Sequence, residues 1–125
     1  MNTAPFMQDE AMRLENSSTQ VASYNSAPFD FGLGFAPNFK IEIVVKVKVS
    51  ALTTGGGQTY THKIQESDDA ATWTDASPTL PIVATGPVPL GCTVSSRYLR
   101  RVVTIGGGGP SITNEAWLNP QTGLQ

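Results

Sequence analysis

The clearest pattern in the chain is an alternation of apolar and polar positions across residues 40–52. The apolar positions are Ile41, Ile43, Val45, Val47, Val49 and Ala51, and the polar ones are Lys40, Glu42, Lys46, Lys48 and Ser50. Among residues 40–51 only Val44 breaks the order. A period of two with one apolar face predicts a strand that is buried on one side and solvated on the other, because a helix would repeat about every 3.6 residues.

A second strand is predicted over residues 57–67. Its alternation places Tyr60, His62 and Ile64 on one face, and the flexible stretch TTGGGQ separates it from the first strand. Two alternating segments on either side of a glycine-rich turn are typical of a β-hairpin. We therefore predict that residues 40–52 and 57–67 pair with each other.

The strand period returns near the C-terminus. Residues 98–105 place Leu99, Val103 and Ile105 on one face, and residues 111–118 form a last short segment of the same kind. Before them, PTLPIVATGPVPLG carries four prolines, which exclude a helix and limit any strand there to an edge or a short piece. About six strands with glycine and proline turns indicate an all-β fold, either a sandwich or a barrel.

The first 39 residues follow a different pattern. FMQDEAMRLE has the spacing of a short helix, and FDFGLGF alternates apolar side chains with Asp30 and two glycines. Two interpretations of residues 29–35 stay open: a first strand of the core, or an arm that packs its aromatic side chains on a neighbouring subunit. We predict an N-terminal arm over residues 1–39 and a β-sandwich domain over residues 40–125.

Composition narrows the function classes. The 125 residues suffice for one domain with a core, and only 14% of them are charged, against roughly 25% in an average soluble domain. The net charge of -2 and the pI of about 5.2 give no basic footprint for DNA or RNA. No apolar run reaches the roughly 18 residues of a membrane span, and no signal peptide is visible. We expect a protein that is made and kept in a cytoplasm, or used in an assembly built there.

The acidic stretch QESDDAATWTDA, residues 65–76, is the first candidate for chemistry. Acid–base catalysis needs two carboxylates that face one another, whereas Asp68 and Asp69 are adjacent and point apart in an extended chain. A calcium loop of the EF-hand type is excluded because Thr72 and Trp73 occupy the positions of an acid and a glycine. Asp and Ser side chains stabilise tight reversals, so we predict a turn that delivers Trp73 to the next strand, where it covers the end of the core.

The other reactive side chains stand alone. His62 has no cysteine or second histidine with which to form a metal site, and Cys92 is the single cysteine. No serine lies in a nucleophile motif, and GGGGP lacks the lysine of a phosphate-binding loop. We therefore expect no enzymatic activity, no catalytic residue, no cofactor and no metal.

Three segments between residues 57 and 118 carry a family resemblance. They are QESDDAATWTDA, a strand–Asp-turn–strand; IVATGPVPLG, an apolar proline-spaced connection; and SSRYLRRVVTIGGGGPSIT, a strand followed by a glycine turn. With them the chain resembles the capsid cement, or decoration, proteins of tailed bacteriophages. Four residues match the family pattern as they stand: Arg97, Tyr98, Leu99 and Arg100. Arg101 departs from it, because the family has an apolar residue there, so this position either disturbs the core or meets a partner.

The resemblance implies a jelly-roll-like β-sandwich, commonly a homotrimer, on the outside of a phage head. There it would fasten neighbouring subunits of the major capsid protein, after synthesis in the host cytoplasm. We expect neither nucleic acid nor membrane as a partner. The predicted contacts with the capsid or between subunits are Phe6, Phe29, Phe31, Phe35, Arg97, Arg100 and Arg101.

An alternative function is a carbohydrate- or receptor-binding β module of a virion appendage such as a tail fibre. That function requires exposed aromatic rings beside polar acceptors. The candidates are Trp73, Trp117 and Tyr60, with Asp68 and Asp69. Exposure of both tryptophans would favour this alternative, and burial of both would count against it.

Overall fold

The computed structural model describes residues 13–32 and 40–120, without the side chains of Ile41 and Pro120. Within these ranges the chain forms eleven strands and no helix. The strands are β1 (Arg13–Gln20), β2 (Tyr24–Asn25), β3 (Phe29–Asp30), β4 (Ile41–Leu52), β5 (Thr59–Ser67), β6 (Thr74–Asp75), β7 (Leu80–Pro81), β8 (Gly86–Pro87), β9 (Leu90–Val94), β10 (Tyr98–Gly106) and β11 (Ile112–Pro120). The proline-rich stretch supplies only the short strands β7 and β8 and the start of β9, as its prolines predicted.

The strands form two antiparallel sheets. In the first sheet, β11 lies between β1 and β4, and the other side of β4 pairs with β8 and β9. In the second sheet, β10 lies between β5 and the short strands β2 and β3, and the other side of β5 pairs with β6 and β7. Counting each pair of neighbouring short strands as one, the chain changes sheet at every step except the one from β5 to β6 and β7. This is the strand order of a jelly roll, so the predicted jelly-roll-like β-sandwich is confirmed.

The predicted hairpin between residues 40–52 and 57–67 is wrong. β4 pairs with β11 in the first sheet, whereas β5 pairs with β10 in the second. The turn at residues 53–58 therefore crosses from one sheet to the other. Both strands bury their apolar faces in one core from opposite sides, and alternation alone does not distinguish that arrangement from pairing within one sheet.

The core fills the space between the two sheets. The inward side chains of β4 are Ile43, Val45, Val47 and Val49, all buried as predicted. From the second sheet the buried side chains include Tyr60, Ile64, Leu99 and Val103. Ala51, near a bulge in the pairing of β4 with β11, is exposed against expectation. Each fully buried aliphatic side chain stabilises the fold by about 1.5–3 kcal/mol, so these alternating positions supply most of the driving force.

The described part of the predicted arm belongs to the sheets. β1 pairs with β11 over its whole length, Leu14 enters the core, and β2 and β3 pair with β10. The predicted helix is wrong at residues 13–15, which are strand, and the rest of it lies outside the described residues. Residues 1–12 and 33–39 also lie outside them, and a domain boundary after residue 39 stays a prediction.

The turn after β5 is held by bonds from side chains to backbone. Ser67 Oγ accepts the N–H groups of Asp69 at 3.2 Å and Ala70 at 2.9 Å. Asp69 Oδ1 accepts the N–H groups of Ala71 and Thr72, both at 2.9 Å. The N–H groups of Thr72 and Ala71 lower the pKa of the Asp69 carboxyl, since they stabilise its charged form. The predicted Ser-Asp reversal is confirmed.

The predicted packing of Trp73 on the core is wrong. Trp73 lies just before β6 and is half-buried on the outer face of the second sheet, with the Arg100 guanidinium 4.3 Å from its ring centroid. Ala76, further along the chain, packs against the core instead. The reversal thus ends with the indole on the outward side, where it supports an arginine.

The turn also contains the one non-glycine residue with positive φ in the described ranges, Ala70 at 60°. A left-handed conformation costs an alanine about 1 kcal/mol, whereas asparagine tolerates it. We expect Ala70→Asn to raise the free energy of unfolding by about 0.5–1 kcal/mol, and Ala70→Val to lower it by at least about 1 kcal/mol. Urea unfolding of the two variants and the wild type checks this, and equal stability of all three would contradict it.

Candidate functional site

The predicted contact residues separate into three groups. Arg97 and Arg100 lie on the outside of the second sheet, and Arg101 points into the core. Phe29 and Phe31 are half-buried against the core of their own chain, with ring centroids 5.3 Å apart in an edge-to-face arrangement. Phe6 and Phe35 lie outside the described residues. A contact of these phenylalanines with a neighbouring subunit stays a prediction.

Arg97 forms a bidentate ion pair with Asp30. Its Nε donates to Oδ1 at 2.7 Å and its Nη2 to Oδ2 at 2.9 Å. The bonds from Arg97 and from the Gly32 N–H hold the pKa of Asp30 at about 2. The guanidinium also lies 5.0 Å from the ring centroid of Tyr98. The pair fixes the end of β3 to the start of β10, so Arg97 already has an intramolecular role.

Arg100 is held flat on the outer face of the second sheet. Its Nε and Nη2 both donate to Gln65 Oε1, at 3.0 and 2.8 Å, while its guanidinium covers Trp73. Beside it, Lys63 Nζ lies 3.1 Å from Asp75 Oδ1. On this face Lys63 is paired with an acid on a neighbouring strand, and Arg100 is held by a neutral amide and an aromatic ring.

Arg101 is the centre of a buried polar cluster. It is fully buried, and its Nη1 contacts Glu15 Oε2 at 2.9 Å and Asn114 Oδ1 at 2.6 Å. The Tyr24 hydroxyl accepts from the same nitrogen at 3.2 Å and donates to Glu15 Oε1 at 2.7 Å. The hypothesis that Arg101 faces a partner is therefore wrong, because its charge is neutralised inside its own chain.

The cluster contains one strongly perturbed histidine. Arg101 Nε donates to His62 Nδ1 at 3.1 Å, so His62 is an acceptor there and carries its proton on the other ring nitrogen. Burial, and secondly the Arg101 charge, lower the pKa of His62 to about 3. Burial and the neighbouring Glu15 raise the pKa of the Tyr24 hydroxyl to about 12. Near neutral pH the cluster therefore holds one ion pair among neutral partners.

The sequence pattern indicated only part of this cluster. The period of two placed His62 and Arg101 on inward faces, and both are buried there. Glu15 and Tyr24 stood in the segment predicted as an arm, and Asn114 stood in a strand whose faces the pattern did not separate. Two inward polar residues on neighbouring strands were the available signal for a partner carboxylate elsewhere in the chain.

Of the aromatic candidates for sugar binding, the two tryptophans are half-buried and Tyr60 is buried. Trp73 and Trp117 are both half-buried, and a guanidinium lies over each ring, that of Arg13 at 5.2 Å from the Trp117 centroid. Tyr60 is buried, and its hydroxyl donates to Thr53 O at 2.7 Å. Neither tryptophan is fully buried, but none of the three offers an uncovered ring beside Asp68 and Asp69.

Two shallow grooves lie on the described surface. One, of about 320 Å³, is lined by β4 and β9 and includes Cys92, whose thiol pKa burial raises to about 11. The other, of about 390 Å³, lies between the turn at residues 53–58 and the segment Pro81–Val83. Its lining is mainly apolar and carries no charged residue among those described.

Residues 13–32 and 40–120 contain no cluster suited to a metal ion and no helix suited to a membrane. No group of three or more His, Cys, Asp or Glu side chains is arranged there to hold a metal ion. The same residues include no helix long and apolar enough to cross a membrane.

Removal of Arg101 tests the buried cluster. Arg101→Met leaves the Glu15 carboxylate buried without its cation, and we expect the free energy of unfolding to fall by about 3–5 kcal/mol. The adjacent Arg100→Met is the matched control, since an exposed arginine contributes about 1 kcal/mol or less. Adding Glu15→Gln to Arg101→Met should recover part of the loss. Chemical denaturation of the wild type, the two single variants and the double variant measures these free energies. Equal losses of stability for Arg101→Met and Arg100→Met would contradict the buried role of Arg101.

The neutral state of His62 predicts a pH dependence. The unfolded chain binds the histidine proton from about pH 6.5 downward and the folded chain only near pH 3, so acid favours unfolding. We expect the free energy of unfolding to be about 2 kcal/mol lower at about pH 5 than at about pH 7. His62→Gln should flatten the profile in this window. Urea unfolding of the wild type and the variant at both pH values measures this difference. If the free energy of unfolding of the variant falls with pH as much as that of the wild type, the role of His62 is refuted.

Comparison with known proteins adds a structural similarity. No protein-family model matches the chain, and no curated protein matches it. A crystal structure of the N-terminal endo-1,4-β-D-xylanase 10B (Xyn10B) CBM22-1–GH10 modules of Clostridium thermocellum with xylohexaose is similar, with a TM-score of 0.44 and 10% sequence identity. The similarity covers 92% of this chain and 27% of that chain, so the chain spans about a quarter of its length. The strand pairing itself establishes the chain as an antiparallel β-sandwich module.

Proposed function

We propose that the chain is a capsid cement protein of a tailed bacteriophage. It binds the outside of the head, contacts the major capsid protein as a homotrimer, and stabilises the junctions between capsid subunits. It acts by binding rather than by catalysis. The sequence resemblance between residues 57 and 118 leads to this proposal, and the jelly roll is the fold which that resemblance implies.

One observation carries the proposal: the groups capable of chemistry are engaged in holding the sandwich together. His62 is buried, neutral and bonded to Arg101, and burial keeps the Cys92 thiol protonated. Asp69 of the turn accepts two backbone N–H groups. A binding function needs none of these groups to react, whereas an enzyme would need at least one of them to be available.

The buried cluster also suits a protein that must keep its shape on a shell. It ties strands β1, β10 and β11 through one arginine, so both sheets are joined by a network that cannot slide without breaking bonds. A rigid module loses little conformational freedom on binding. Many copies, each engaging several capsid subunits, then gain avidity from weak individual contacts.

The sugar-binding alternative receives less support from the surface. Stacking on a sugar requires an open aromatic face, and guanidinium groups lie over both tryptophan rings. Arg100 would have to leave its two bonds to Gln65 to expose Trp73. We therefore place recognition of protein surfaces before recognition of sugars.

Purification of intact heads tests the proposal. The chain should co-purify with them at a fixed ratio to the major capsid protein, and heads assembled without it should rupture at a lower temperature. Recovery of the chain only as free protein, or only with tails, would refute the cement function.

A further inference from the structure

Four loops meet at one end of the sandwich. In the first sheet, Gln20 and Leu52 both stand opposite Ile112, so β1 and β4 end at the level where β11 begins. In the second, Thr59 stands opposite Gly106 at that level, and Ile82 N–H bonds to Tyr60 O. The loops that leave here define the glycine end: residues 21–23, 53–58, 82–85 and 107–111.

The glycine end carries no charge. None of its described residues is Asp, Glu, Lys or Arg. Among residues 13–32 and 40–120, the charged side chains lie on the outer faces of the sheets, inside the core, or at the opposite end, which contains Asp68, Asp69 and Arg97. Interface cores are depleted in charged residues, and this end shares that feature.

The loops of the glycine end are fixed by hydrogen bonds. Gln58 Nε2 donates to Gly108 O at 2.7 Å, and the Tyr60 hydroxyl accepts the N–H of Ser111 at 3.0 Å. At Gly107, where φ is +93°, an added Cβ would lie 2.7 Å from the Cα of Gln58, so only glycine allows this approach. The surface is therefore preformed despite its many glycines, and little ordering is needed when it binds.

An exposed apolar side chain stands near each of two opposite sides of this end. Val21 is 64% exposed and Val83 is 76% exposed, and they are two of the three large hydrophobic side chains exposed in the described residues. Val83 also lines the groove of about 390 Å³ beside Thr54 and Gln58. Exposed apolar side chains beside a groove mark contact sites on soluble proteins.

We propose that the glycine end is the surface by which the chain docks onto the capsid, and that its partner there is an uncharged, apolar protein surface. This inference rests on the proposed cement function and names the part of the molecule that performs it. A charged partner group would lose its water without meeting a counter-charge on this end, which opposes binding. The bare backbone at Gly55 and Gly108 allows the partner to approach closely.

The charge pattern sets a distinctive salt dependence. A contact that contains no charged pair is not screened, so the attached chain should stay on heads between about 0.05 and 1 M NaCl. Contacts through Lys46, Lys48 or Arg100 on the sheet faces would weaken across the same range. Salt resistance therefore distinguishes the glycine end from the faces of the sheets.

Two substitutions place a charge on this surface without disturbing the fold. Val83 is exposed, and at Gly108 no atom lies within 4 Å of an added Cβ and φ is not positive. Val83→Asp and Gly108→Asp should each weaken binding at least about tenfold to heads that were assembled without the chain. Ala70→Asp is the matched control, because it adds the same charge at the opposite end in a conformation that aspartate tolerates.

Sedimentation of purified protein with such heads measures binding, and circular dichroism confirms that each variant is folded.

The inference is supported if the wild type and Ala70→Asp bind, the two glycine-end variants lose binding, and salt does not release the bound protein. Equal binding of all variants, or release by salt, overturns it while leaving the cement function intact. A wild type that does not bind refutes the cement function itself. Light scattering adds a further outcome: if Val83→Asp alters the oligomeric state, the end joins copies of this chain and the capsid assignment is overturned.

Discussion

The buried ion pair between Glu15 and Arg101 is the constraint on which the rest of the structure depends. Its partners lie 86 residues apart in the chain, on the edge strand of one sheet and the central strand of the other. A charged arginine in an apolar core is strongly unfavourable unless it is paired and hydrogen-bonded. Here Nη1 and Nε of Arg101 are bonded, whereas Nη2 is buried without a partner among the described residues. The first described strand therefore has to join the sandwich, and it brings Glu15 to the arginine while Tyr24 arrives on the following strand. Packing alone would hold the sheets together, but this network also fixes which strand lies where.

The same local matching of charges shapes the outer surface. Arg13 pairs with Glu115 at 2.8 Å, Arg97 with Asp30, and Lys63 with Asp75, each across neighbouring strands. Such exposed pairs add about 1 kcal/mol or less apiece to stability. Their larger effect lies in the distribution of charge, because the end with the glycine turns has none. A sandwich with charged faces and one neutral end presents different chemistry in different directions.

The alternation in β4, β5 and β10 predicted the strands correctly, and the buried faces apart from Ala51, since a period of two maps directly onto the two sides of a sheet. It did not predict which strands pair. β4 and β5 have the pattern of a hairpin yet lie in different sheets, because partners are selected by the packing of distant strands. Among the candidate site residues, the alternation placed Arg100 on the outward face and Arg101 on the inward face. It could not supply Glu15, because nothing in RLENSSTQ signals that one acid of an edge strand will be buried.

By itself the sequence determined that the chain is all-β, where its turns lie, and that Ser67 and Asp69 cap a reversal, since these features depend on neighbours a few residues away. Only the tertiary structure decided that the sheets form a jelly roll, that Trp73 supports Arg100 instead of the core, and that Arg101 is a structural centre instead of a contact. The physical reason is shared by all three. The free energy of a buried charge or a large ring depends on which distant groups surround it, and those groups are brought together only when the two sheets close.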